Sequence, residues 1–274
     1  MNQIYRAIGT SKQNVHQRLN CELKRWEERA QLERIVCQIR KDHPKMGMKT
    51  LYLKLKPTMG RDAFYQWYCQ SGFRVTSTKN WRRTTDSTGV IRFPNLTEGI
   101  KLTDVNQVWV SDITYYELNG QFYYLTFIMD QYSRKIKGYS VSKSLHTSTT
   151  TIAAMHKALP HLRPGDQPVF HSDGGGQYYS KAFLRLTKGK FINSMGKTAY
   201  ENPFAERLNG TIKNDYIKPY NPVNFTGLLK SCNKAVRMYN QDKPHGSIHG
   251  LTPDQFEYEL ISSTNNSQKT VNLI

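Results

Sequence analysis

The 274-residue chain predicts an α/β domain preceded by a small all-α region. Three observations lead there. Two runs rich in β-branched and aromatic residues, 107–116 and 121–130, flank Asn119-Gly120, a strong signal for a tight hairpin turn. Shorter apolar strands at 136–141 and 168–173 alternate with helical patterns at 147–159, 203–213 and 224–241. The first 75 residues carry only helical patterns, punctuated by Gly and Pro.

At the N-terminus, residues 3–9 read as a helix and Gly9 as a turn, followed by a helix capped at Thr10 or Ser11. That is helix-turn-helix spacing, and it makes Lys12, Gln13, Asn14 and Gln17 candidate base readers. For the helical stretch that follows, residues 22–71, the alternative is a packing adaptor without base specificity. A charged amphipathic helix is expected at 22–42, then short helices at 48–55 and 61–71, separated by Pro57 and Gly60. Residues 76–103 lack periodicity and read as a basic linker that touches phosphate through Arg82 and Arg83. The expected organisation is therefore a helical DNA-binding region at 1–75, this linker at 76–103, a core with its C-terminal helix at 104–260, and a flexible tail at 261–274.

Charge agrees with a polyanion partner. The formal net charge is +18, and residues 1–100 hold 19 Lys or Arg against 8 Asp or Glu. Basicity alone would equally suit a ribosomal or membrane-surface protein. No run reaches the length of a membrane-spanning helix and the polar N-terminus has no signal-peptide pattern, so a soluble, cytoplasmic, nucleoid-associated protein without membrane contact is expected. The four cysteines lack CxxC spacing, which argues against both a disulfide framework and a zinc site.

Three carboxylates carry the chemistry. Asp112 interrupts an apolar strand, where an unpaired charge is costly. Asp173 ends a short strand just before Gly174-Gly175-Gly176, which lets a backbone or a phosphate approach closely. Glu206 lies just past the first turn of a helix with Asn202 as N-cap and Pro203 at its first position, and Lys213 returns to nearly the same side at 3.6 residues per turn. Taken singly, the helix pair reads equally as a solvated surface pair and Asp173 as turn chemistry. Together, three carboxylates on separate rigid elements suit hard divalent cations, and two such ions can stabilise the attacking and leaving oxygens of a phosphodiester displacement. Lys213 then supplies a point charge for phosphate, and Asn209 and Arg207 on the same helix join the candidate DNA contacts.

Four ordered motifs carry a family resemblance: Trp109-Val110-Ser111-Asp112-Ile113-Thr114-Tyr115; His171-Ser172-Asp173 with its glycines; Ala205-Glu206-Arg207-Leu208-Asn209-Gly210-Thr211-Ile212-Lys213; and Tyr239-Asn240-Gln241-Asp242-Lys243-Pro244-His245. The chain resembles the OrfB component of insertion sequence 3 family transposases, relatives of retroviral integrase. The resemblance implies a ribonuclease-H-like integrase core, a mixed five-stranded sheet flanked by helices. It implies Asp112, Asp173 and Glu206 as a catalytic triad holding two Mg2+ ions, with Mn2+ able to substitute. It implies double-stranded DNA as partner, both element ends and target, and a homo-oligomer on that DNA. It also implies an upstream OrfA product, fused to this chain or assisting it. The reaction implied is end cleavage followed by strand transfer, with no covalent protein–DNA intermediate. A trimmed loop between Asp173 and Glu206, Gly174 after the second aspartate, and Lys243 where arginine is usual depart from the family pattern without removing a metal ligand. Lys243 is kept as a DNA-contact candidate. Two other readings stay open: a non-catalytic DNA-binding regulator or decayed copy, and a ribonuclease-H-like nuclease that cleaves without joining.

Within the core, Asp130 reads as turn chemistry rather than a fourth ligand, and His156 as structural. His171 should share a strand face with Asp173, packing there, orienting it or contacting DNA.

Overall fold

The computed structural model describes residue 5 and residues 9–76, 93–196 and 201–271. The chain divides into two compact units, Met1–Thr76 and Ser77–Ile274.

The first unit contains α1 (Lys12–Asp42), α2 (Met48–Leu55) and α3 (Arg61–Gln70). Ser11 caps α1 by accepting a hydrogen bond from the Asn14 N–H at 3.1 Å. The expected separate helix at 22–42 is corrected: α1 is one helix of 31 residues, because no Gly or Pro interrupts it between Lys12 and Asp42. The preceding helix of the expected helix-turn-helix falls largely outside the described residues, as do Arg82 and Arg83. The unit's core gathers Val36, Leu51, Phe64, Trp67 and Tyr68. Arg40 ties it together, its guanidinium donating to the Pro44 carbonyl at 2.7 Å, the Tyr68 hydroxyl at 2.7 Å and the Phe73 carbonyl at 3.0 Å.

The second unit is built on β1 (Val108–Leu118), β2 (Gln121–Asp130), β3 (Ile136–Ser142), β4 (Val169–Ser172) and β5 (Ile192–Met195), in the order β3-β2-β1-β4-β5. β1, β2 and β3 pair antiparallel, while β4 runs parallel to both β1 and β5, giving the mixed five-stranded sheet. Asn119 and Gly120 turn the β1–β2 hairpin with φ of 53° and 75°, the left-handed pair that a two-residue turn requires.

Helices cover both faces. On one lie α4 (Thr151–Ala158) and α5 (Lys181–Thr187), against Trp109, Ile128 and Phe170. On the other lie α6 (Pro203–Gly210), its continuation through a π-helical stretch (Thr211–Ile217) and an α turn (Lys218–Tyr220), and α7 (Phe225–Gln241), against Val108, Val110, Leu125 and Phe127. Because strand residues alternate, Asp112 lies on the same face as Val108 and Val110, the α6 side. β3 approaches α4 closely at Gly138, where a Cβ would collide with the Ala154 carbonyl and lie 2.8 Å from the Ala158 Cβ.

α8 (Pro253–Val271) closes the chain, so the segment read as a tail from 261 is helical through Val271. Glu257 anchors α8 in the core. It meets the Lys137 ammonium at 2.5 Å and the Lys135 ammonium at 3.2 Å, and accepts from the Ser133 hydroxyl at 2.7 Å. Asp130 also binds the Ser133 hydroxyl, at 3.0 Å, and takes the Ser133 and Asn106 N–H groups at 2.7 and 2.6 Å, which is turn chemistry as the sequence suggests. Among the described residues no helix is long and apolar enough to cross a membrane.

Candidate active site

Strand register brings the two aspartates together. Parallel pairing matches Val110 with His171 and Ser111 with Ser172, so Asp112 and Asp173 are the next residues in step on neighbouring strands. Both are half-buried on the α6 side of the sheet. Loss of water raises the Asp112 pKa, and the Asp173 charge adds to it, to about 7; burial also raises Asp173. Within reach, Asp112 accepts from the Asn209 amide at 2.8 Å, and Asp173 accepts from the Gly175 N–H at 3.1 Å. A Cβ on Gly175 would sit 3.0 Å from that carboxylate oxygen, so the glycine permits the close approach expected of it.

Glu206 is on the first turn of α6, exposed, its pKa raised by partial loss of water, and its charge is felt by Asp112. Among the described residues, no three His, Cys, Asp or Glu groups are already gathered closely enough to hold a metal ion. The pair is formed, and Glu206 stands beside it.

The structure places Lys213 differently from the 3.6-residue spacing. From Thr211 the helix is π, with more residues per turn, which redirects Lys213 onto β1. Its ammonium donates to the Thr114 hydroxyl at 2.8 Å and the Tyr115 carbonyl at 3.3 Å, and lies 5.3 Å from the centre of the Tyr115 ring. Burial lowers its pKa. Asn209 is buried against Asp112 instead of facing outward, while Arg207 is exposed. Lys243 is half-buried with its ammonium 5.4 Å from the Tyr239 ring centre, packed on α7. Lys12, Gln13, Asn14 and Gln17 are exposed on the first turns of α1 in the other unit.

Supporting contacts went unread in the sequence. Asn202 does not cap α6 with its side chain; its amide donates to the Ser111 carbonyl at 2.9 Å, tying the start of α6 to the strand just before Asp112. His171 is buried and its pKa lowered by burial, so it is neutral. Nε2–H donates to the Glu201 carbonyl at 3.1 Å, and Nδ1 accepts from the Ser194 hydroxyl at 2.9 Å, a tautomer assigned from these partners. His171 thus holds the approach to α6 and does not touch Asp173. Only its alternation with Asp173 along the strand hinted at this place.

Two family models, both described as integrase core domain, match residues 103–193 and 188–253, together more than half of the chain. This chain belongs to the integrase core family. Asp112, Asp173 and Glu206 all fall within the matched residues of this integrase core. Similar proteins include an uncharacterized 31 kDa protein of insertion element IS600 from Shigella sonnei, 28% identical over 85% of this chain and 88% of that protein. The transposase of insertion sequence element IS629, also from Shigella sonnei, is 40% identical over 39% of this chain and 37% of its own length. Its alignment thus covers well under two thirds of that relative. Among solved structures, the HTLV-2 integrase catalytic core domain in complex with magnesium is 26% identical over 56% of this chain and 96% of that chain, with a TM-score of 0.46.

Proposed function

We propose that this integrase core is a transposase of the insertion-sequence type, cutting DNA at element ends and joining the freed ends by metal-dependent phosphoryl transfer. One observation carries the reading: two aspartates in register on neighbouring parallel strands, partly stripped of water, with a glutamate on the helix beside them. A structural ion pair would hold these pKa values down; here both are raised. The donor set is all oxygen, which fits Mg2+, with Mn2+ an acceptable substitute. Asp112 and Asp173 would hold the metal and Glu206 would complete its ligands. When bound, it stabilises charge on the attacking and leaving oxygens.

The chain's own residues do the positioning. Asn209 fixes the Asp112 carboxylate, and Asn202 and His171 set where α6, and with it Glu206, begins. Lys213, held on Thr114 and Tyr115, keeps a positive charge beside the aspartates for a DNA phosphate. Arg207 is exposed one residue after Glu206, where it can meet the DNA backbone. The α1 residues Lys12, Gln13, Asn14 and Gln17 are proposed as further contacts to duplex DNA. Holding two element ends at once calls for more than one copy of the chain.

The test is incubation of the protein with labelled DNA carrying the sequences that flank its gene, with Mg2+ or with chelator. Cleaved and joined products that require Mg2+ are expected. Cleavage without joining would make the protein a nuclease, and binding with neither product, with or without the upstream reading frame attached, would make it a regulator.

A further inference from the structure

The N-terminal half of α1 carries an apolar seam that the described residues of its own unit leave exposed. Among the described residues, the unit's hydrophobic core engages α1 only from Leu32 onward. Before that point Leu19, Leu23 and Trp26 stand 52%, 59% and 70% exposed. With Ala30 they recur at alternating steps of four and three, so they form one stripe about 17 Å long down a single side of the helix. Gln17 and Lys24 lie on the opposite side. A long helix is held mainly by packing of its apolar face, which leaves this seam in want of a partner.

We infer that the seam pairs with the same seam of a second copy of this chain, as a short antiparallel coiled coil. Charge selects both partner and direction. Placing Leu23 against Trp26 of the second copy also sets Leu19 against its Ala30, so apolar side chains meet in every layer. In that arrangement the flanking Glu22 faces Arg29 of the second copy, and symmetry forms the same pair again on the other side. A parallel pairing would instead set Glu22 against Glu27 and Arg29 against Arg34, repulsive at both positions. The antiparallel, self-complementary seam is the arrangement these charges favour. It spans only about two heptads, so the dimer is weak, on the order of micromolar.

Sedimentation equilibrium of the full chain, without DNA and in chelator, tests this. Wild type is expected to dimerise, and Leu23→Glu to remain monomeric with unchanged helix content. Glu22→Arg and Arg29→Glu should each weaken the dimer about tenfold, and the double variant Glu22→Arg/Arg29→Glu should restore it. Three results overturn the pairing: a wild-type chain that stays monomeric well above micromolar concentration, a dimer insensitive to Leu23→Glu, or single charge swaps that tighten the dimer as a parallel pairing would. The measurement involves neither metal nor cleavage, so its failure and that of the proposed chemistry are distinguishable.

Discussion

Asp112→Asn is expected to lower Mg2+-dependent cleavage and joining by ~10³-fold or more, roughly 4 kcal/mol of barrier, while leaving DNA binding near wild type. The same substitution should make the metal-free protein more stable. Asp112 has an ordinary value of 3.8 and is raised to about 7 in the fold, so the folded chain holds a proton there that the unfolded chain has released. Stability therefore falls as pH rises from about 4 to about 7 and stays reduced above that. Asparagine keeps the Asn209 amide as a partner and removes the charge. In chelator the variant's advantage should be near zero at pH 4 and reach roughly 1–2 kcal/mol at pH 8, a figure discounted for the solvent that reaches this half-buried group. That corresponds to about 3–6 °C in melting temperature. Adding Mg2+ should raise the wild-type melting temperature and narrow the gap. A variant no more stable than wild type at pH 8 would mean that loss of water and the Asp173 charge do not destabilise the ionised Asp112 as the geometry indicates.

Glu257→Ala should cost about 3–5 kcal/mol, the largest stability effect expected in the core. Lys137 has a side chain only 2% exposed, and Glu257 is its carboxylate partner at 2.5 Å. Truncation removes the ion-pair partner of a buried ammonium, leaving it the more distant Asp130 charge, and takes an acceptor from the Ser133 hydroxyl. Burial alone would raise the Glu257 pKa, but Lys137, Lys135 and Ser133 outweigh it and hold the carboxyl below its ordinary 4.5. A depressed acid contributes its full stability above that value and loses it as pH falls through the folded pKa, so the docking of α8 weakens in acid. Urea denaturation at pH 7 measures the loss directly. A shift below about 1 kcal/mol would show that Lys137 finds water or another partner when the carboxylate goes.

Legibility of the fold followed the range of the interactions involved. The β1–β2 hairpin was readable because Asn119-Gly120 states its turn locally and both strands are long and β-rich. β5 could not be read from its own residues: four positions, two of them Asn193 and Ser194, become a strand only by pairing with β4 across the sheet. The fifth strand was foreseen only through the family resemblance. In the site, the two aspartates and Glu206 stood out as costly residues at strand and helix ends. Their neighbours did not. The seating of Lys213 on Thr114 and Tyr115 was not legible, since nothing in Thr211-Ile212-Lys213 announces a π-helical stretch. Asn209 and Asn202 look like ordinary polar helix and cap residues until Asp112 and the Ser111 carbonyl arrive from a strand some ninety residues away. Lys243 reads as a surface cation because sequence does not reveal that Tyr239 lies under it.

The most direct test of the central claim is to compare wild type with Glu206→Gln for the yield of Mg2+-dependent joined DNA, at matched DNA binding and matched thermal stability. Glu206 is exposed, so glutamine in its place removes the proposed metal-binding carboxylate with little disturbance of packing. Joined product from wild type and ~10³-fold less from the variant is the predicted result. Equal yields would contradict the account, because the chemistry would then run without the third carboxylate beside the aspartate pair.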